Sequence, residues 1–387
     1  MHASPSFTDL DPRKDDYATR VVERLLHGAL AAGASDIHLD ATAAQVIVRW
    51  RVAGVLLPVA EIREGATTSI IARLKALARL ITYRHDIPQE GRLQLDDQTL
   101  EARVGTLPTL HGERAVIRLV AKQTQAWLPE DLGLPPDALC GLQQGLQRAS
   151  GVLLISGTAG AGKTTTAYAA LRAVLGQIQL QRSVVSLEDP IEAEIAGVAQ
   201  SQINPAVGYD WNGGLKALLR QDPEVILVGE IRQAETAAVV FQAAMAGQLV
   251  ISTMHARSVA DAIRRLLDMQ VPAHHLRSAL NVLICQRLVR GLCANCGGTG
   301  AAVDSGTEAD QTCQVCQGSG SRGRTLLAEI LPSIEGDMAR AMLQDADTGS
   351  LMATAQSLGM RSLATLAADA IASGRMRACE SDRHFIE

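Results

Sequence analysis

Two hydrophobic rhythms divide the chain. From Tyr17 to Ala32, apolar residues fall at Val21, Val22, Leu25, Leu26, Ala29 and Leu30, the spacing of one helical face. "SDIHLD" and "QVIVRWRVAGVLLPV" then read as strands. In the second, Val46, Val48, Trp50 and Val52 alternate with Ile47, Arg49 and Arg51, and Gly54 makes the turn. "TSIIARLKALARLIT" predicts a helix with Ile70, Ile71, Leu74, Leu77 and Ile81 inward. "GRLQL", "TLEARVGTLP" and "ERAVIRLV" predict three more strands. After a disordered polar tail, 1–17, residues 18–121 thus form a small unit of helices on an antiparallel sheet. Residues 122–140, with Pro129, Pro135 and Pro136, read as a linker leading into a capped helix. From 141 to 387 the rhythm changes. "GVLLISG", "SVVSLED", "VILVGE" and "LVISTMH" are buried strands alternating with helices, the pattern of a parallel α/β sheet. Helices are expected to dominate from Ser258 onward, apart from a glycine- and cysteine-rich stretch at 291–323.

Composition narrows the class. Hydrophobic residues make up 47% of the 387 and aromatics only 3%, so the cores must be aliphatic. No apolar run approaches the roughly 18 residues of a membrane span, and the first residues carry no export signal, so the protein is expected in the cytoplasm. A net charge of −5 and scarce aromatics count against a dedicated nucleic-acid binder.

The chemistry begins with "GTAGAGKTT", residues 157–165. Gly157, Gly162, Lys163 and Thr164 form G-x-x-x-x-G-K-T between an apolar strand and a helix, the context that a phosphate-binding loop requires. Thr158, Ala159, Gly160, Ala161 and Thr165 complete the loop, whose backbone N–H groups would cradle phosphates. Lys163 would contact the β- and γ-phosphates of ATP, and Thr164 would ligate Mg²⁺. Acids at the carboxyl ends of parallel strands lie where ligands bind, which marks Glu188 and Asp189. His255, after "LVISTM", is a candidate γ-phosphate sensor by the same logic. In "VILVGEIR" the position at which such a strand usually offers an aspartate is Gly229, followed by Glu230.

Cys293, Cys296, Cys313 and Cys316 are spaced C-x₂-C-x₁₆-C-x₂-C, which fits a closed structural Zn²⁺ site rather than a catalytic one. Cys140, Cys285 and Cys379 read as buried small hydrophobes.

Together, the phosphate loop, "SLEDPIE", "LLRQDPEVILVGEIR", "ETA" and "GQLVISTMHA" resemble the secretion-ATPase superfamily of type II secretion and type IV pilus assembly. "ASDIHL", "VRWRVAGVL", "PQEGRL" and "HGERAVIRL" are similar to its N-terminal motor subdomain, and "QRLVRGLC" to its C-terminal region. The resemblance implies an α/β fold: a RecA-like P-loop ATPase domain with an N-terminal α+β (PAS-like) subdomain and a four-cysteine zinc element at 291–323. It implies that Glu230 is the catalytic acid acting on water and that Glu188 supports the metal shell. Arg103, Arg118 and Arg220 match arginines that the family presents to nucleotide. It implies a homo-hexamer, peripherally attached to the inner membrane through a platform protein, that extends a pilus or pseudopilus without binding nucleic acid. The cysteine element belongs to the assembly and secretion branch rather than the retraction branch. A ring-shaped nucleic-acid motor, a pilus-retraction ATPase and a non-hydrolysing nucleotide-binding regulator are the alternatives.

Some positions depart from the family pattern. Lys216 stands where relatives carry an arginine and cannot form a bidentate fork. Gln233, Gln248 and Arg257 are smaller departures. Many relatives also carry a further N-terminal domain, whereas here residues 1–17 precede the motor, so recruitment is expected to use the motor's own surface or another adaptor.

Overall fold

A computed structural model describes Phe7 and residues 10–52, 54–63, 67–93, 100–121, 127–176, 182–301, 313, 315, 316, 318–331 and 334–380. The chain forms two compact units, Met1–Thr124 and Gln125–Glu387. Residues 1–6, 8 and 9 of the expected tail and 122–126 of the expected linker lie outside the described residues. Leu10, within that tail, is buried. Residues 129–132 form a short 3-10 helix, and the next helix already begins at Pro136.

The first unit is helix α1 (Tyr17–Ala31), strands β1 (Ala34–Ala41), β2 (Gln45–Val52) and β3 (Val55–Arg63), helix α2 (Thr67–Leu77), and strands β4 (Gln89–Leu93), β5 (Leu100–Thr109) and β6 (Gly112–Ala121). Its six-stranded sheet runs β3-β2-β1-β6-β5-β4 with antiparallel neighbours. Alternation decides the faces. Ile37, Leu39, Val46, Val48, Ile117 and Ala115 are buried in a core with Val21, Leu25, Ile70 and Leu74 of the helices. The other face carries Arg49, Arg51, Arg114 and Arg118 against Asp36 and Asp40. Helix α2 stops before the apolar rhythm does. Arg79 takes φ +56°, and the Leu80 N–H reaches back to the Lys75 carbonyl at 2.8 Å, a left-handed stop that satisfies a terminal carbonyl. Ile81, expected inward, is therefore exposed.

Lys75 is fully buried in this unit. Its Nζ lies 2.5 Å from Glu113 Oε1 and donates to the Arg84 carbonyl at 2.6 Å, while His85 Nδ1 is 2.6 Å from Glu113 Oε2. The chain after α2 is thereby tied to the start of β6.

The second unit contains α3 (Pro136–Leu146), β7 (Gly151–Gly157), α4 (Lys163–Leu175), β8 (Val184–Glu188), β9 (Ala199–Gln202), α5 (Trp211–Leu218), β10 (Val225–Ile231), α6 (Ala234–Met245), β11 (Leu249–Met254), α7 (Val259–Asp268), α8 (Ala273–Ala279), β12 (Leu280–Leu292) and β13 (Ser321–Ile330). Three helices follow: α9 (Asp337–Leu343), α10 (Thr348–Ser357) and α11 (Leu363–Ala372). The sheet order is β13-β12-β7-β11-β10-β8-β9, parallel except for β13. Both faces are covered, one by α3 and α4 through Leu142, Leu146 and Tyr168, the other by α5 to α8 through Leu215, Phe241 and Ile263. Each fully buried side chain of this size stabilises by about 1.5–3 kcal/mol.

Strands β12 and β13 correct the expectation of helices after Ser258. "LNVLICQRLV" is an apolar run whose periodicity does not separate strand from buried helix. Pairing with β7 makes it a strand, because both of its faces are then buried.

Lys75→Met should cost about 3–5 kcal/mol, because it leaves the buried Glu113 carboxylate short of its charge partner. Urea unfolding of the full chain, followed by hydrogen exchange in residues 67–121, measures it. Replacing both partners, Lys75→Met with Glu113→Leu, should recover much of the loss, and an unchanged midpoint in the single variant would count against the role assigned to the pair.

Candidate nucleotide site

The carboxyl ends of β7, β8, β10 and β11 converge on a cleft of about 450 Å³, in the size range of small-molecule sites. Its floor is the loop from Gly157 to Gly162. Gly157, at φ +153°, presses against β12, and a side chain there would collide with the Gln286 carbonyl. Gly162, at φ +84°, is the N-cap of α4, so the loop passes directly into a helix N-terminus. Ala159, Gly160, Ala161, Lys163, Thr164 and Thr165 line the cleft as well. Gln286 holds the loop from below: its amide donates to the Ala161 carbonyl at 2.7 Å and accepts from Thr166 Oγ1 at 3.0 Å.

A row of ionisable groups runs along the cleft. Lys163 Nζ donates to the carbonyls of Gly157 (3.0 Å) and Thr158 (3.2 Å) and lies 3.4 Å from His255 Nδ1. His255 Nε2 is 3.1 Å from Glu230 Oε1, and Arg232 Nε is 2.8 Å from Glu230 Oε2. Burial lowers the Lys163 pKa, and the Glu230 charge opposes that shift.

Local geometry explains why position 230 rather than 229 presents a side chain to the cleft. Val228 pairs with Ser252 and Ile231 with Met254, so β10 holds one residue more than β11 between these pairs. This bulge re-aims the strand's side chains. Thr253 Oγ1 anchors it by donating to the Gly229 carbonyl at 2.7 Å. A Cβ at Gly229 would stand 3.3 Å from the Glu188 Cα and the Leu187 carbonyl, so a side chain fits there only if β8 gives way.

Glu188 is in a different situation. It is buried, with Oε1 accepting from Ser186 Oγ (2.6 Å) and Gln200 Nε2 (3.1 Å) and Oε2 accepting from the Tyr168 hydroxyl. Burial, then the Glu188 carboxylate, push the Tyr168 pKa well up, so the phenol stays a donor. Both oxygens are engaged by protein. The acid that reaches Thr164 is Glu192, whose Oε1 accepts from Thr164 Oγ1 at 3.1 Å and whose backbone N–H donates to the Tyr168 hydroxyl. Asp189 lines the cleft and is exposed.

The arginines are placed differently. Arg220 is exposed and donates to the Lys216 carbonyl at 3.1 Å, and it does not line the cleft. Arg103 and Arg118 are cross-strand neighbours in the first unit, and Arg118 Nε lies 3.1 Å from Asp36 Oδ1. Sequence reasoning passed over Glu192, Arg232, Gln286 and Arg324, of which Glu192, Arg232 and Arg324 line the cleft. Glu192, Arg232 and Gln286 stand inside the quoted motifs. Gln286 left only a weak signal, one polar residue in an apolar run.

Of the seven cysteines, Cys285 is buried as expected, whereas Cys140 and Cys379, also expected buried, are exposed. The four paired cysteines come together. Their Sγ atoms all lie within 4.8 Å of one another and are buried, with Cys296 Sγ 3.6 Å from Cys316 Sγ. The backbone N–H groups of Gly300 and Gly320 donate to Cys296 and Cys316 at 3.3 and 3.2 Å, the support that thiolate ligands need. The donor set suits a tetrahedral metal ion. Residues 302–312, 314 and 317 of the stretch lie outside the described residues. The site joins β12 to β13, and Leu288 and Arg324 of those strands line the cleft, so distance in sequence does not mean distance in space.

Residues 11–383 match the description of the type II/IV secretion system proteins. The chain is 36% identical over 366 residues to the type II secretion system protein HxcR of Pseudomonas aeruginosa, covering 94% of this chain and 76% of that one. It is 35% identical over 350 residues to the type II secretion system ATPase E of Vibrio cholerae, covering 84% and 68%. Among solved structures, the Legionella pneumophila ATPase DotB shares the fold with a TM-score of 0.68 at 20% identity, covering 94% of this chain and 95% of that one.

Tyr168→Phe removes one donor from buried Glu188 and the acceptor of the Glu192 N–H. It should cost about 1–3 kcal/mol of stability in denaturant unfolding. No change would mean that Glu188 does not depend on the phenol.

Proposed function

The chain belongs to the type II/IV secretion system protein family, and from that premise we propose an ATP-hydrolysing motor that powers pseudopilus extension in type II secretion or the assembly of a type IV pilus. The observation that carries this is the row Lys163–His255–Glu230–Arg232 beside a phosphate-binding loop, at the ends of adjacent parallel strands.

ATP is the substrate. Backbone N–H groups of the loop and the α4 N-terminus bind its phosphates, and Lys163 adds a full positive charge. Thr164, with Glu192 at its hydroxyl, would hold Mg²⁺, which supplies charge neutralisation at the phosphates when bound. Glu230 orients the attacking water and accepts its proton while the bond from the γ-phosphorus to the bridging oxygen breaks, leaving ADP and inorganic phosphate. His255 touches both Lys163 and Glu230, so it links the phosphate end of the cleft to the acid. Glu188 acts through Tyr168, by holding the segment that carries Glu192.

The working form is a homo-hexamer on the cytoplasmic side of the inner membrane, where a platform protein receives the motion. No described helix is long and apolar enough to cross a membrane. Arg103 and Arg118 serve the nucleotide of a neighbouring subunit in the ring. Cys293, Cys296, Cys313 and Cys316 hold one Zn²⁺, which closes the β12–β13 connection and does not enter the reaction.

Glu230→Gln keeps the side chain's shape and removes the base. ATP binding should stay within a few-fold of wild type, while turnover falls by about 10²-fold or more. Lys163→Ala should instead weaken binding. Wild-type turnover in Glu230→Gln, measured as phosphate release, would remove Glu230 from the mechanism.

Protein purified under reducing, chelator-free conditions should contain one zinc per chain by elemental analysis. Cys293→Ser or Cys313→Ser should lose it and lower Tm, with faster exchange around residues 291–301 and 318–323, because binding energy at such a site is folding energy. Metal-free wild-type protein of unchanged Tm would sink the assignment.

A further inference from the structure

The carboxylate of Glu329 takes no part in the mechanism above, yet it is among the most enclosed in the second unit, with 1% of its surface exposed. It lies on β13, paired in register with Cys285 of β12. Its Oε1 accepts from the Val259 N–H at 2.6 Å, and its Oε2 accepts from the Leu363 N–H at 2.9 Å. Val259 is the first residue of α7, and Leu363 is the first residue of α11. One carboxylate therefore takes the leading N–H of two helices.

Among the described residues, neither amide has another acceptor. The Ser258 and Ser362 side chains, at the N-caps, accept from Asp261 and Thr365 further into each helix. The first N–H of a helix has no partner within it. A negative charge at two helix N-termini is favourable, since both dipoles point their positive ends at it. Arg287, also buried on β12, contributes a further positive charge. Burial raises the Glu329 pKa, and the two amides counter it.

The consequence reaches the cleft. Only His255, Ala256, Arg257 and Ser258 separate the end of β11 from Val259. Ala256 is buried, with its carbonyl 3.8 Å from Cys285 Sγ, and the Arg257 N–H is held by Asp261 at 2.7 Å. This short link carries the imidazole that touches Lys163 and Glu230, and its far end is pinned by Glu329.

We propose that Glu329 is a positioning residue for ATP hydrolysis. It fixes the His255 link from behind and joins it to the C-terminal helix α11, so that displacement of that helix is felt at the γ-phosphate end of the cleft. The proposal rests on the ATPase reading of the cleft.

Glu329→Gln in the full chain tests it. Glutamine keeps the shape but offers one acceptor oxygen, so one of the two amides faces an NH₂ group. Hydrogen exchange should quicken in both 255–260 and 362–366. Turnover should fall about tenfold, the scale of one lost charge-assisted hydrogen bond. The affinity for a non-hydrolysable ATP analogue should stay within about twofold. Combining it with His255→Ala should give turnover no slower than His255→Ala alone, because both changes act at one place. Losses that multiply would make Glu329 a general brace and overturn the proposal, as would unchanged exchange at 255–260. If Glu329→Gln does not fold, Val259→Pro removes one donor and leaves the carboxylate. Proline is accepted at the first residue of a helix, and Ser258, at φ −151° and ψ 169°, is already extended as the residue before proline must be. Faster exchange at 255–258, the fall in turnover and the His255→Ala combination then decide. A wild-type chain without turnover would overturn the motor reading instead, and the exchange comparison, which needs no turnover, would still judge Glu329.

Discussion

The cleft depends on how a loop with little stabilisation of its own is held between two strands. A phosphate nest needs backbone N–H groups turned inward, which requires left-handed residues and leaves the loop few internal hydrogen bonds. Gly157 lies so close to the backbone of β12 that no side chain fits, and the Gln286 amide binds Ala161 and Thr166 on either side of Lys163. The parallel pairing of β7 with β12 brings Gln286 there. Without that pairing, the loop residues would be present in the chain but not shaped for an anion.

Three acids of the second unit show how burial sorts identical side chains into different work. Glu188 and Glu329 are enclosed, and protein donors engage both oxygens of each. A buried carboxylate is tolerable only when satisfied in this way, and once satisfied it is expensive to move. Such groups hold other things still. Glu230 sits on a bulge, between His255 and Arg232, at the wall of the cleft. Its partners, an imidazole and a guanidinium, are groups that phosphate oxygens can also engage, so it is the least committed of the three.

Much of this was legible in the chain. The alternation in "QVIVRWRV" and the buried runs at 151–157, 184–188 and 225–231 translate directly into strands, because side-chain period and burial are local consequences of backbone geometry. The phosphate loop, the glutamate after Gly229 and the cysteine spacing were legible for the same reason: each is a short segment whose chemistry needs fixed residue types at fixed intervals.

What the chain did not disclose belongs to contacts between segments far apart in sequence. Apolar periodicity ran on to Ile81, but a left-handed turn at Arg79, closed by the Leu80 N–H on the Lys75 carbonyl, turned that residue outward. "LICQRLV" was ambiguous until β7 lay beside it. Arg220 satisfied its motif and yet lies off the cleft, while Glu192 reaches Thr164 because Tyr168, on a different element, holds its backbone. The sequence by itself determined which residue types and local turns were available for binding phosphate and metal. Only the tertiary structure decided which of several acids is free and which is spent, because that depends on the donors that packing brings within about 3 Å of each oxygen.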